Sequence, residues 1–257
     1  MTLAAADWLE ARSGVVCVVG AGGKKTTIRR LLEQATGRVA TTASVRTTPP
    51  PAREVDIRIF DNEPALLEQV PRVAATHQRV AYALPGRRSG RVTGPAPATI
   101  AELHRLAGFD LTLVKADGAR MRGIKAPRDD EPALVPGCGT VIHVVSARVI
   151  GQPLDEGIAH RVPELGALLD LVPGQIIEPA HIGRLIAHPR GGGQGCQGQR
   201  FVSLINQVDG DEQHRLARQA AAVAMAGPCP PRRVVLASMR EAEPVVDVVD
   251  TAEPGAD

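Results

Sequence analysis

Aromatic side chains are nearly absent. Phe, Tyr and Trp make up 2% of the 257 residues, with a single Trp and a single Tyr. The core must therefore be built from Val, Leu, Ile and Ala. The stacked aromatic platforms that hold single-stranded nucleic acid are hardly available. An excess of charge of one sign is missing as well: 30 basic residues against 28 acidic leave +2. That balance argues against nucleic acid or an anionic membrane as a main partner. The four cysteines, Cys17, Cys138, Cys196 and Cys229, form no C-x-x-C pair and have no histidine cluster beside them. Neither a zinc site nor a disulfide framework is expected, and a reducing compartment suits the chain. No apolar run approaches the length of a membrane span, and "MTLAAADWLEARSG" lacks a basic segment leading into an apolar one. A cytoplasmic protein with no signal peptide is the expectation.

What is present is a regular alternation of apolar runs and helical patterns. "VVCVV" (15–19), "RVATT" (38–42), "VDIRIF" (55–60), "RVAYAL" (79–84), "LTLVKAD" (111–117), "TVIHVVSA" (140–147), "RFVSLINQVD" (200–209) and "RRVVLAS" (232–238) read as strands. The alternating third run suits an edge. Helical patterns lie between them, one carrying Pro71 as a break or kink, and another running from Pro97 to Gly108 with proline and glycine at its proper ends. Strands separated by helices predict an α/β fold, a mostly parallel sheet flanked by helices. We read residues 1–240 as one nucleotide-binding domain with a helical insertion at 154–190, cut by prolines. "HPRGGGQGCQGQR" (188–200) reads as a flexible connector and 241–257 as a solvated acidic tail.

Open parallel sheets bind ligands at the carboxyl ends of their strands, and the chemically notable residues fall at such ends. In "VVGAGGKKTT", Gly20, Ala21, Gly22 and Gly23 form a turn between a strand and a helix. Glycines let backbone N–H groups converge, the helix start adds its dipole, and a lysine and a hydroxyl can serve a phosphate and Mg²⁺. This is the design of a P-loop, in a short G-x-x-G-K form similar to that of Mur-type ligases. Lys25 occupies the place of the Mg²⁺-binding hydroxyl, so either Lys24 or Lys25 is the phosphate lysine, with Thr26 and Thr27 as the hydroxyls. Thr41 and Thr42 close a strand expected to neighbour the glycine-loop strand. Asp117 and Gly118 end another apolar strand, where the carboxylate suits Mg²⁺. The Arg120, Arg122 and Lys125 run suits transition-state charge. Asn206 and Asp209 in "NQVD" match the N-[KT]-x-D pattern that reads guanine, with Gln207 in the lysine place.

In order and combination, "VVGAGGKKTT", "KADGARMRGIKAP", "EPALVP", "HRVPELGALL" and "LINQVD" resemble the YqeC-type selenium-dependent hydroxylase accessory proteins, from about Gly14 to Ser238. The resemblance implies a P-loop NTPase-like protein that binds GTP or ATP with Mg²⁺. It also implies partners among molybdenum hydroxylases or their maturation proteins. Gly20, Gly22, Gly23, Lys24 and Thr26 match its phosphate loop, Thr26 and Asp117 its metal position, Lys24, Asp117 and Arg120 the reacting groups, and Asn206 and Asp209 the base-reading turn. Lys115 stands where the family usually has Glu, which implies slow turnover. Two other readings stay open: a Mur-like ligase or kinase with an acceptor pocket among the 154–187 helices, and a non-catalytic nucleotide-binding module.

Overall fold

A computed structural model describes residues 3–250. The fold is α/β, with a large, mostly parallel sheet flanked by helices, consistent with a P-loop NTPase-like architecture. The chain divides into two compact units. One holds the chain up to Val19, Lys24–Gly118 and Asp130–Val141; the other holds Gly20–Gly23, Ala119–Asp129 and the chain from Ile142 on.

The first unit contains α1 (Ala5–Trp8), β1 (Gly14–Gly20), α2 (Lys24–Gln34), β2 (Val39–Ala43), β3 (Ile57–Phe60), α3 (Glu63–Ala74), β4 (Arg79–Pro85), β5 (Val92–Thr93), α4 (Pro97–Ala107) and β6 (Leu111–Lys115). Its strand order is β1-β6-β2-β4-β3, all parallel, with β5 antiparallel to the end of β4. Val15 to Val19 are all buried, as a parallel strand covered on both faces requires. β3 lies at the edge and alternates in burial along its length. α4 starts at Pro97 and ends at Gly108, whose φ is 59°, the left-handed cap that glycine accepts without a Cβ penalty.

One expectation fails here. The strand ending in Thr41 and Thr42 does not lie beside the glycine-loop strand. β6 lies between them, pairing Val16↔Leu113 on one side and Thr41↔Leu113 on the other. Hydrophobic patterns locate strands, whereas their order depends on which face each crossover covers. Pro71 also does not break its helix: α3 continues to Ala74, since a proline removes one hydrogen bond of the ladder and not all of them. Cys138 is hydrogen-bonded to Cys17, although 120 residues of sequence separate the two buried thiols, and no disulfide joins any of the four cysteines.

The second unit contains β7 (Ile124–Lys125), β8 (Thr140–Ser146) from Ile142 on, β9 (Ala159–His160), α5 (Val162–Leu169), α6 (Pro179–Ala187), β10 (Arg200–Asn206), α7 (Asp211–Met225), β11 (Arg233–Ala237) and β12 (Val245–Asp250). β8, β10, β11 and β12 follow one another, with β10 and β11 parallel and β12 antiparallel at the edge; β7 and β9 form a separate parallel pair. Pro163 and Pro179 stand in the first turns of α5 and α6 rather than cutting a helix, where their missing N–H costs nothing. The alanines of α7 explain its packing on α6. Ala217, Ala220, Ala221 and Ala224 are fully buried. A Cβ on Gly183 of α6 would lie 2.6 Å from the Ala220 carbonyl. Small residues on both helices permit that approach.

The tail reading is corrected over part of its length: Val245–Asp250 form β12, while 251–257 lie outside the described residues. Four valines among the acids favour an edge strand. Asp247 fastens it to α7, accepting from His214 Nε2 at 3.0 Å and Arg218 Nη1 at 2.5 Å. We expect Asp247→Ala to speed amide exchange in β12 by roughly tenfold, with the β10 amides unchanged, because exposed ion pairs contribute up to about 1 kcal/mol each. Equal acceleration in both strands would show that β12 opens only with the whole unit.

Candidate functional site

The glycine loop is held by contacts that leave no room for side chains. Gly20, Gly22 and Gly23 have φ of 87°, 84° and 125°, a region closed to most L-residues. A Cβ would lie 2.3 Å from the Val144 carbonyl at Gly20, 2.5 Å from the Ser146 nitrogen at Gly22, and 2.2 Å from Asn206 Nδ2 at Gly23. Ala21 N–H donates to the Val144 carbonyl at 2.7 Å, and Gly22 N–H to the Arg122 carbonyl at 2.9 Å. The loop is thus clamped to the end of β8 and to the 119–123 segment.

Asn206 and its neighbours complete this clamp. The Asn206 side chain is buried; its Nδ2 donates to the Gly22 carbonyl at 2.8 Å and its Oδ1 accepts from Met239 N–H at 3.0 Å. Both ends of the amide serve the loop and the turn after β11. Gln207, at φ 66°, accepts from the Ser146 hydroxyl through Oε1. Asp209 accepts from Arg148 Nε at 2.8 Å and from Ser238 Oγ at 2.6 Å. The Ser238 hydroxyl, and then the Arg148 guanidinium, hold its carboxyl below the usual carboxylate range. The structure therefore brings Asn206 to the glycine loop and gives Asp209 two partners of its own. Arg148 was not among the residues singled out from sequence; it carries no motif, and only its place after β8 puts it there.

In the first unit, α2 begins directly after the glycines with Lys24. Its Nζ lies 2.8 Å from Asp117 Oδ1, and both side chains are at most 5% exposed. Asp117 follows β6, the parallel neighbour of β1. Lys115 Nζ donates to the Asp117 carbonyl at 2.5 Å. Lys25 turns elsewhere and donates to Thr48 Oγ1. The two lysines thus have different environments: Lys24 is buried against a carboxylate, Lys25 is exposed. Thr27 is fully buried, while Thr26, Thr41 and Thr42 line a cavity that Asp117 does not line. Thr42 Oγ1 donates to the Tyr82 carbonyl at 2.7 Å.

The basic run after Asp117 is split. Arg120 and Met121 are exposed with φ of 44° and 64°, whereas Lys125 is buried in β7. Of the histidines, His181 caps α6: its Nδ1 accepts from Glu178 N–H at 2.9 Å. No cluster of three or more His, Cys, Asp or Glu that could hold a metal occurs among the described residues, and no helix among them is long and apolar enough to cross a membrane.

Left-handed glycines after a buried strand, and a buried Lys24–Asp117 pair at the start of the next helix, belong to an α/β protein whose large, mostly parallel sheet is consistent with a P-loop NTPase-like fold. Comparison with known proteins is specific. Residues 16–163 match the YqeC protein family, and the chain belongs to it. It is also similar to a protein of Escherichia coli (strain K12) described as uncharacterized protein YqeC. The two are 28% identical over 208 residues, which cover 77% of this chain and 78% of that protein.

Proposed function

We propose that this protein binds a purine nucleoside triphosphate together with Mg²⁺, and that it serves the maturation of selenium-dependent molybdenum hydroxylases. The second part rests on the family resemblance alone. The first is carried by one observation, the buried Lys24–Asp117 ion pair at the start of α2. Desolvating two charges is costly, and such a pair often stabilises a fold less than apolar residues of equal volume would. A pair of this kind after a glycine turn has a use beyond packing: Lys24 can turn to a β- or γ-phosphate, and Asp117 can hold a cation that the phosphates share. Mg²⁺ needs no protein cage there, because it is ordinarily held by one or two carboxylates, phosphates and water. When bound, it would neutralise phosphate charge. Lys24 would hold and orient the phosphates, and the burial of both groups would keep water from the ion pair.

Within the second unit, Asp209 would accept from the N–H edge of a guanine by exchanging Arg148 for it while keeping Ser238. The test is competition for fluorescent GTP, with and without Mg²⁺, by unlabelled GTP and ATP. Tight, Mg²⁺-dependent binding with GTP at least tenfold better than ATP is the expected result. Equal competition would keep the phosphate site and discard the role of Asp209 in base reading. No binding would remove the nucleotide reading.

A further inference from the structure

Two segments of the first unit meet at the carboxyl end of β4. Residues 86–91 form the tip of the β4–β5 hairpin, closed by Gly86 N–H donating to the Arg91 carbonyl at 3.1 Å. The 44–54 segment lies against it: Thr47 and Val92 exchange two backbone hydrogen bonds of 2.9 Å. Together the segments carry Arg46, Arg53, Arg87, Arg88 and Arg91, all of them exposed. Arg53, with Thr47, Thr48 and Val92, also lines a cavity of about 390 Å³ beside α2. That cavity is not among the 154–187 helices, where an acceptor pocket was expected from sequence.

Among the described residues, none of these guanidinium groups has an ion pair or a hydrogen bond. Elsewhere in the unit Arg12, Arg30 and Arg72 are paired with Asp7, Glu33 and Glu68. Glu54 is the one acid in the two segments. The carboxylates that follow β3 are turned to other partners: Asp61 accepts from Gln69 Nε2 at 3.1 Å, and Glu63 from Ala96 N–H at 2.8 Å and Thr99 Oγ1 at 2.5 Å. The crowding of positive charge reaches Lys25. Partial burial, and then the Arg91 guanidinium, pull its ammonium below the usual pKa. Like charges held together without partners repel one another, and a surface of opposite sign relieves that repulsion.

The character of the patch selects among polyanions. Neither segment contains an aromatic residue, so unpaired bases have nothing to stack on. None of the large exposed apolar side chains lies in either segment, so nothing here would enter a lipid layer. Guanidinium forks match carboxylates two bonds at a time. Pro49, Pro50 and Pro51 stiffen the chain between Arg46 and Arg53, and the hairpin ladder holds the segment that carries Arg91. Little backbone freedom is then lost on docking. We infer that this arginine face is a docking surface for an acidic stretch of another protein, with Asp and Glu carboxylates set against the five guanidinium groups. The inference stands whether or not a nucleotide binds at Lys24.

The experiment titrates the full chain into a short labelled peptide of alternating Glu and Ser, read by fluorescence anisotropy. Binding should weaken roughly tenfold between about 50 mM and about 500 mM salt, as exposed charges are screened. Replacing Arg87, Arg88 and Arg91 together by Gln should weaken it at least about tenfold at the lower salt. Replacing Arg72, Arg105 and Arg215 by Gln removes the same charge from other exposed positions and should leave affinity within about twofold. Amide ¹H–¹⁵N shifts on titration should fall in 44–54 and 86–93. Equal losses in the two triple variants would show that net charge and not this face holds the peptide, and would overturn the inference. So would tighter binding of a single-stranded oligothymidylate or of phosphatidylserine vesicles, which would make the partner a nucleic acid or a membrane. No peptide binding at the lower salt would leave the arginines as solvated surface and overturn it as well.

Discussion

Lys24→Ala is expected to destabilise the protein by about 3–5 kcal/mol and to abolish Mg²⁺-dependent nucleotide affinity, while Lys25→Ala changes stability by less than about 0.5 kcal/mol. The difference follows from environment. Lys24 Nζ and Asp117 Oδ1 are 2.8 Å apart with side chains 5% and 3% exposed, so removing the ammonium takes the lysine charge away from a carboxylate that is out of water. Lys25 is exposed and hydrogen-bonded to a threonine hydroxyl, an arrangement water can replace. Urea unfolding of the two variants measures the first half, and nucleotide titration the second. Asp117→Ala should lose Mg²⁺-dependent affinity as well. The Lys24→Met, Asp117→Leu double variant should recover much of the lost stability without recovering binding, because apolar replacement removes both desolvated charges at once. Similar losses for Lys24→Ala and Lys25→Ala would mean that the buried pair is not the main determinant of either property. Recovery of nucleotide binding in the double variant would separate the pair from any phosphate site.

Gly22→Ala should be the second most damaging change. At φ 84° an alanine is strained, by about 1–3 kcal/mol. Its Cβ would also come within 2.5 Å of the Ser146 nitrogen, a backbone atom that cannot move aside as a side chain can. The loop must shift away from β8, taking the Asn206 bond to the Gly22 carbonyl with it. We expect a loss of about 3 kcal/mol in stability and no measurable nucleotide affinity. Gly118→Ala provides the contrast. A Cβ there meets nothing within 4 Å, and the backbone is not left-handed. Its stability should be unchanged within about 0.5 kcal/mol, so any loss of nucleotide affinity in that variant reports on space needed by the ligand and not on the fold. Chemical denaturation of both variants, followed by binding assays on whatever remains folded, checks the pair of expectations. A Gly22→Ala protein as stable as the parent would show that the loop repacks freely.

Sequence by itself determined the elements that carry a local signal. The buried run Val15–Val19, the proline and glycine at the ends of α4, and the acids in the first turn of α7 are local signals, and each gives the element it predicts. The glycine loop was legible for the same reason, since positive φ and close approach demand glycine at the positions where it stands. Tertiary structure alone decided the rest. Successive residues on a helix point about 100° apart, so nothing in "KK" tells which lysine faces Asp117; the docking of α2 does. β6 separates β1 from β2 because crossovers, and not strand patterns, set strand order. The valines of 245–250 become a strand only because β11 offers an edge and α7 offers His214 and Arg218 to Asp247. The cavity beside α2 is assembled from α2, β2, β4 and the 47–54 segment. No local pattern records that meeting, because a cavity is a property of surfaces that touch only after the chain has folded.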